Sequence, residues 1–339
     1  MRSQPGNASG APEPRMSMRG GFDHTLADDE PALYLLPFDH RHSYVTGMFH
    51  FEAPLTTQQR AAVCDSKQLI YEGFQLALEA GVPRNAAGIL VDEEFGSAIL
   101  RDARRRGFTV ALPTESSGSE EFSFEYGEDF LAHIEAFDPT YVKVLVRYNP
   151  EGDQTLNLRQ EKRLKRLSHA CRVGGRRFML ELLVPATRQQ TAALEGNHTS
   201  YELRVRPRLM VEAIHALQDA GVEPDLWKIE GLAQREDCLR IVEAARRGGR
   251  DTIRCIVLGR GAEAARVRDW LATAAGVPGF VGFAVGRTTF WAAVAAYREG
   301  TLARAAAASQ IAGRLRDWVD TFERSRMARS TGAMPGVGS

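Results

Sequence analysis

Lys143, within Tyr141-Val142-Lys143-Val144-Leu145-Val146, and Lys228, within Leu226-Trp227-Lys228-Ile229, sit inside runs that read as buried strands. A buried ammonium loses its hydration, so it must gain a carboxylate, shift toward the free amine, or do covalent work as an amine. Carboxylates fall in comparable places: Asp39 closes the first apolar run, Asp92 closes the second, and Glu181 lies inside the fifth. One such lysine is most often half of a structural ion pair. Two lysines with several carboxylates suit attack by an amine, helped by general acids and bases. Gly259-Arg260-Gly261 and Gly286-Arg287 follow two later apolar runs. They offer backbone N–H groups, a cation and a helix N-terminus, which together suit a phosphate.

The elements that must position these residues alternate. Apolar runs at 33–38, 87–91, 108–112, 141–146, 178–184, 226–229, 252–258 and 280–284 are separated by helical patterns at 57–80, 94–106, 128–137, 154–173, 207–220, 234–247 and 263–275. Further helices are expected over 288–324. Continuous apolar strands between amphipathic helices imply a parallel sheet covered on both faces, and eight units favour a closed (β/α)8 TIM barrel. A doubly wound open sheet is the alternative. In a barrel the active site lies at the C-terminal ends of the strands, which is where Asp39, Lys143, Glu181 and Lys228 cluster.

The 43 basic residues balance the 43 acidic ones, so no bulk attraction to nucleic acid or a membrane is expected, and small anions must be bound locally. No stretch approaches the roughly 18 apolar residues of a membrane span. Cys64, Cys171, Cys238 and Cys255 form neither a CxxC pair nor a compact disulfide framework, so a reducing, cytoplasmic setting is expected. Residues 1–30 read as a disordered extension, 31–325 as the barrel and 326–339 as a flexible tail.

The constellation of Asp on strand one, Lys on four, Glu on five and Lys on six resembles the class I, Schiff-base aldolases, including the tagatose-bisphosphate aldolase branch. The longer stretches Leu35-Leu36-Pro37-Phe38-Asp39-His40-Arg41, Lys143 to Pro150, Pro224 to Leu232 and Gly282 to Thr288 are similar to a narrower group. That group is the domain fused behind 5-dehydro-2-deoxygluconokinase in inositol catabolism; this chain lacks the kinase half, so a stand-alone form is expected. The resemblance implies Lys228 as the nucleophile, Lys143 as a neighbouring cation that keeps Lys228 reactive, and Glu181 and Asp39 as proton carriers whose roles the sequence does not order. It implies no cofactor and no metal. Gly259, Arg260, Gly261, Gly286 and Arg287 would hold the substrate phosphate. Arg147 with Asn149 would form a second anion receptor, while Arg206 is expected to be solvated at the surface. The implied substrate is a phosphorylated sugar acid, 2-deoxy-5-keto-gluconate 6-phosphate, cleaved to dihydroxyacetone phosphate and malonate semialdehyde, and a homo-oligomer is expected.

Two other classes compete. His40 and His42 make an HxH pair of the kind that opens metal-dependent amidohydrolase barrels, but Glu181, Lys228 and Arg287 stand where that scheme needs further ligands. A non-catalytic sensor of sugar phosphate would have no need to keep all four polar strand residues.

Overall fold

The computed structural model describes residues 31–332; the extension expected over 1–30 lies outside the described residues. Eight strands form: β1 (Leu33–Pro37), β2 (Ala87–Leu90), β3 (Thr109–Pro113), β4 (Tyr141–Arg147), β5 (Arg177–Leu183), β6 (Leu226–Glu230), β7 (Arg254–Leu258) and β8 (Phe280–Ala284). They close into a parallel barrel in sequence order, which replaces the open-sheet alternative. The seam is the β1–β8 pairing, with Leu33 opposite Gly282 and Leu35 opposite Ala284.

The helices are α1 (His42–Phe49), α2 (Thr57–Glu79), α3 (Glu93–Arg105), α4 (Phe130–Phe137), α5 (Gln154–Val173), α6 (Arg188–Ala193), α7 (His198–Ser200), α8 (Arg206–Asp219), α9 (Arg235–Ala245), α10 (Ala264–Ala275), α11 (Arg287–Arg298) and α12 (Arg304–Gly332). Their starts follow local chemistry. Thr56 and Gln59 form a capping box ahead of α2, and the Asp153 carboxylate accepts from the first backbone N–H groups of α5. The sequence reading missed α1, whose Val45, Thr46 and Gly47 favour a helix weakly. Helix α12 lies along α2, α10 and α11, where the Trp318 indole is buried and donates to Thr289 Oγ1 at 3.0 Å. It runs to Gly332, past the boundary expected at 325.

Side chains alternate along a strand, and this places the polar residues. Leu33, Leu35, Leu90, Tyr141, Met179, Leu226 and Ile256 pack together inside the barrel. Lys143, Glu181 and Lys228 each follow one of these residues by two positions, so they point inward one layer nearer the C-terminal mouth. Apolar filling below excludes water from beneath the amines.

Barrel closure leaves no room at Gly282, where a Cβ would meet Leu33 O at 1.8 Å. We expect Gly282→Ala to destabilise the protein by about 3 kcal/mol or more in chemical denaturation. A midpoint within error of the unmodified protein would mean that the seam is not tightly packed.

Candidate active site

The C-terminal mouth of the barrel holds a cavity of about 320 Å³. Asp39, Lys143, Glu181 and Lys228 all line it. Lys143 Nζ lies 2.9 Å from Asp39 Oδ2, 2.5 Å from Glu115 Oε1 and 3.0 Å from Glu181 Oε2. Lys228 Nζ donates to the same Glu181 Oε2 at 2.8 Å. Glu181 and Lys228 are directly paired across β5 and β6, so strand register alone brings them together. The sequence reading put the Lys143 ammonium close to Lys228 as a cation that keeps it reactive. Instead both amines share one carboxylate oxygen, because β5 lies between β4 and β6.

Burial and charge set the protonation states. Burial alone would lower Lys143, yet Asp39, Glu115 and Glu181 together raise it well above the ordinary lysine value. Burial would raise Asp39 and Glu181, but the ammonium groups of Lys143 and Lys228 together outweigh it and hold both below the usual carboxylate range. Glu115 differs: burial and the Asp39 charge raise it despite Lys143 and Arg41. Desolvation pushes the His40 imidazole down to about 4, so it stays neutral at neutral pH.

Glu115 was not anticipated. It follows β3 and opens Glu115-Ser116-Ser117-Gly118-Ser119-Glu120-Glu121, a run that reads as solvated loop. The loop instead folds back through an antiparallel bridge between Glu115 and Phe124, and the Arg41 guanidinium donates to Glu115 O at 2.6 Å. Its one sequence signal was its place just past the end of an apolar run, as with Asp39.

Gly259, Arg260, Gly261, Gly286 and Arg287 line the same cavity. Gly261 has φ +73°, and a Cβ there would meet the Arg287 guanidinium at 2.9 Å, so glycine fits both the backbone and the space. Arg287 opens α11, whose N-terminus has no side-chain cap, and donates to Arg260 O at 2.8 Å. Arg260 itself pairs with Glu202 and Glu230, each at 2.8 Å, leaving Arg287 as the cation of this end.

Three expectations change. Asn149 does not line the cavity; its amide donates to Pro185 O and Gln190 Oε1, both at 2.8 Å, and so fixes the loop after β4. Arg147 does line the cavity, donating to Ser119 O at 3.0 Å, so any second anion receptor rests on Arg147 without Asn149. Arg206 is not at the surface but buried, donating to Gly231 O and Glu202 at 3.1 Å beside Glu230. Asp92 is likewise structural, capping α3 and bonded to the buried Lys67. His40 and His42 gain no third ligand: among the described residues no group of three His, Cys, Asp or Glu side chains is arranged to hold a metal ion. The position central to the carboxylates is filled by Lys143 Nζ. Among the described residues no helix is long and apolar enough to cross a membrane.

Residues 23–326 match the family described as "Uncharacterized protein conserved in bacteria (DUF2090)", and the chain belongs to that family. No curated protein matches it. Among solved structures it is similar to a fructose-bisphosphate aldolase from Slackia heliotrinireducens, with TM-score 0.51 and 12% identity over 84% of this chain and 86% of that one. It is also similar to the fructose-bisphosphate aldolase from Plasmodium falciparum, with TM-score 0.52 and 10% identity over 89% of this chain and 91% of that one. At these identities the likeness is one of fold, an aldolase-like TIM barrel.

Removing the shared cation tests the electrostatics. Lys143→Met should lower stability by roughly 3–5 kcal/mol at pH 7, because it leaves buried carboxylates without their counter-charge. In the unmodified protein the depressed Asp39 and Glu181 contribute stability above the unfolded carboxylate pKa that is lost as pH falls through their folded values. The deficit of the variant should therefore shrink as pH falls toward about 4, because its buried carboxylates, no longer held down by Lys143, take up protons in the folded chain while those of the unmodified protein stay ionised. Urea titrations at the two pH values measure it; an equal deficit at both would contradict the charge account.

Proposed function

We propose that this member of the family is a class I aldolase, a carbon–carbon lyase that cleaves a phosphorylated keto sugar acid through a Schiff base on Lys228. The observation that carries the reading is the sharing of Glu181 Oε2 by Lys143 and Lys228 at the mouth of a closed barrel. Cleaving a carbon–carbon bond beside a carbonyl needs an electron sink, and a protonated imine provides one. Attack requires the free amine of Lys228, and Glu181, in hydrogen-bond contact, is placed to take its proton. The iminium then takes the place of the ammonium beside Glu181.

Asp39, on the other side of Lys143, takes the hydroxyl proton as the bond breaks, and Lys143 holds that hydroxyl or its oxyanion. The two carboxylates could exchange these roles. Arg287, with the glycine backbone of 259–261 and 286, receives the phosphate, and Arg147 the carboxylate at the other end. With those two anions, 2-deoxy-5-keto-gluconate 6-phosphate fits best, giving dihydroxyacetone phosphate and malonate semialdehyde. Tagatose or fructose bisphosphate and a sulfonated analogue carry similar end charges and are the competing substrates.

A screen of ketose phosphates with and without a terminal carboxylate tests this. Dihydroxyacetone phosphate should be released fastest from the carboxylated ketose, unaffected by a chelator, since Lys143 fills the centre where an ion would be needed. Arg147→Met should raise KM chiefly for the carboxylated substrate, by about tenfold. Release that depends on an added divalent ion, or no release from any ketose phosphate, would refute the assignment.

A further inference from the structure

Two amines at the barrel mouth face three carboxylates, so one negative charge lacks a cation of its own. Asp39 and Glu181 contact Lys143 at 2.9 and 3.0 Å, and Glu181 also has Lys228. The nearest guanidinium, Arg41, is engaged by Glu125 at 3.2 Å and by the Glu115 backbone carbonyl. Glu115 reaches Lys143 through Oε1 only, while its Oε2 is shielded from solvent and has no hydrogen-bond partner. An ionised carboxylate with one uncompensated buried oxygen is costly, whereas a neutral carboxyl is far less so.

The charged groups around Glu115 are Lys143 from β4, Asp39 and Arg41 from beyond β1, Glu125 on its own loop, and Glu181 from β5 with Lys228 behind it. Their sum, two amines and Arg41 against Asp39, Glu125 and Glu181, is balanced only if Glu115 is neutral.

We propose that Glu115 stores a proton in the resting site and passes it to Lys143 whenever Lys143 gives one up. The mechanistic half of this rests on the aldolase reading; the stored proton does not. When the carbinolamine on Lys228 dehydrates, the C–O bond pair stays with oxygen, which takes a proton from Lys143 and leaves as water. The lone pair of the Lys228 nitrogen closes the C=N bond. Lys143 is then a neutral amine, the Glu115 carboxyl turns its O–H toward it, and the proton crosses the contact to restore the ammonium. Glu181 keeps the proton it took from Lys228, so the iminium charge is matched by the new Glu115 carboxylate and the net charge of the cluster is unchanged. Hydrolysis of the product imine reverses the steps and returns the proton to Glu115.

Infrared spectroscopy of the full chain at neutral pH should show the carbonyl stretch of a protonated glutamic acid, shifted by ¹³C-glutamate labelling and missing from Glu115→Gln. Labelling identifies the band as glutamate even if that variant folds poorly. In turnover, Glu115→Gln should lower kcat by about 10²-fold and abolish the decline in kcat seen at high pH as Glu115 ionises. Absence of the band from the unmodified protein, or a kcat–pH profile in Glu115→Gln of unchanged shape, would overturn the proposal. Failure of every ketose phosphate to be cleaved would count against the aldolase reading alone, since the band still decides where the proton resides.

Discussion

One ammonium surrounded by three carboxylates, inside a barrel whose lower half is apolar, is the constraint on which the rest of this site depends. Lys143 Nζ contacts Asp39, Glu115 and Glu181, which come from three different strand ends. Without the cation Asp39 and Glu181 would be uncompensated buried charges, and without them the ammonium would be one too. The contact therefore fixes the relative positions of β1, β3, β4 and β5 at the mouth. It also sets the orientation of Glu181 toward Lys228, the amine assigned the covalent role.

The cavity rim around β6, β7 and β8 is organised by a second network. Glu230 on β6, Glu202 ahead of α8, and Arg206 form a cluster that pairs with Arg260 at the cavity rim. The turn at 259–261 is thereby held so that its glycines face inward, with Arg287 packed against Gly261. An anion bound there would meet the Arg287 guanidinium and backbone N–H groups.

Much of this was legible in the chain. Strands buried on both faces must read as continuous apolar runs, so all eight were visible, and the lysines at 143 and 228 stood out because their type conflicts with that burial. Glu115 was hidden by its neighbours: a Glu- and Ser-rich run looks solvated unless the bridge to Phe124 is known. Arg206, Arg260 and Asn149 show the other limit. Asn149 and Arg260 were read as anion-binding and Arg206 as solvated, but the partners that claim them come from elements distant in sequence, and nothing local marks those pairings. The helical content of 42–49 was lost to weak propensity, whereas the packing of Tyr44 and Phe49 against the rest of the core stabilises it.

The central claim is that Lys228, not Lys143, is the covalent amine, and reductive trapping tests it most directly. Borohydride added together with a ketose phosphate that the protein cleaves should leave a stable secondary amine on the peptide containing Lys228. Borohydride alone should leave none, and Lys228→Arg should form no adduct, because a guanidinium stays protonated and is not a nucleophile at any workable pH. An adduct on Lys143 in the unmodified protein, or turnover without any adduct, would contradict the account.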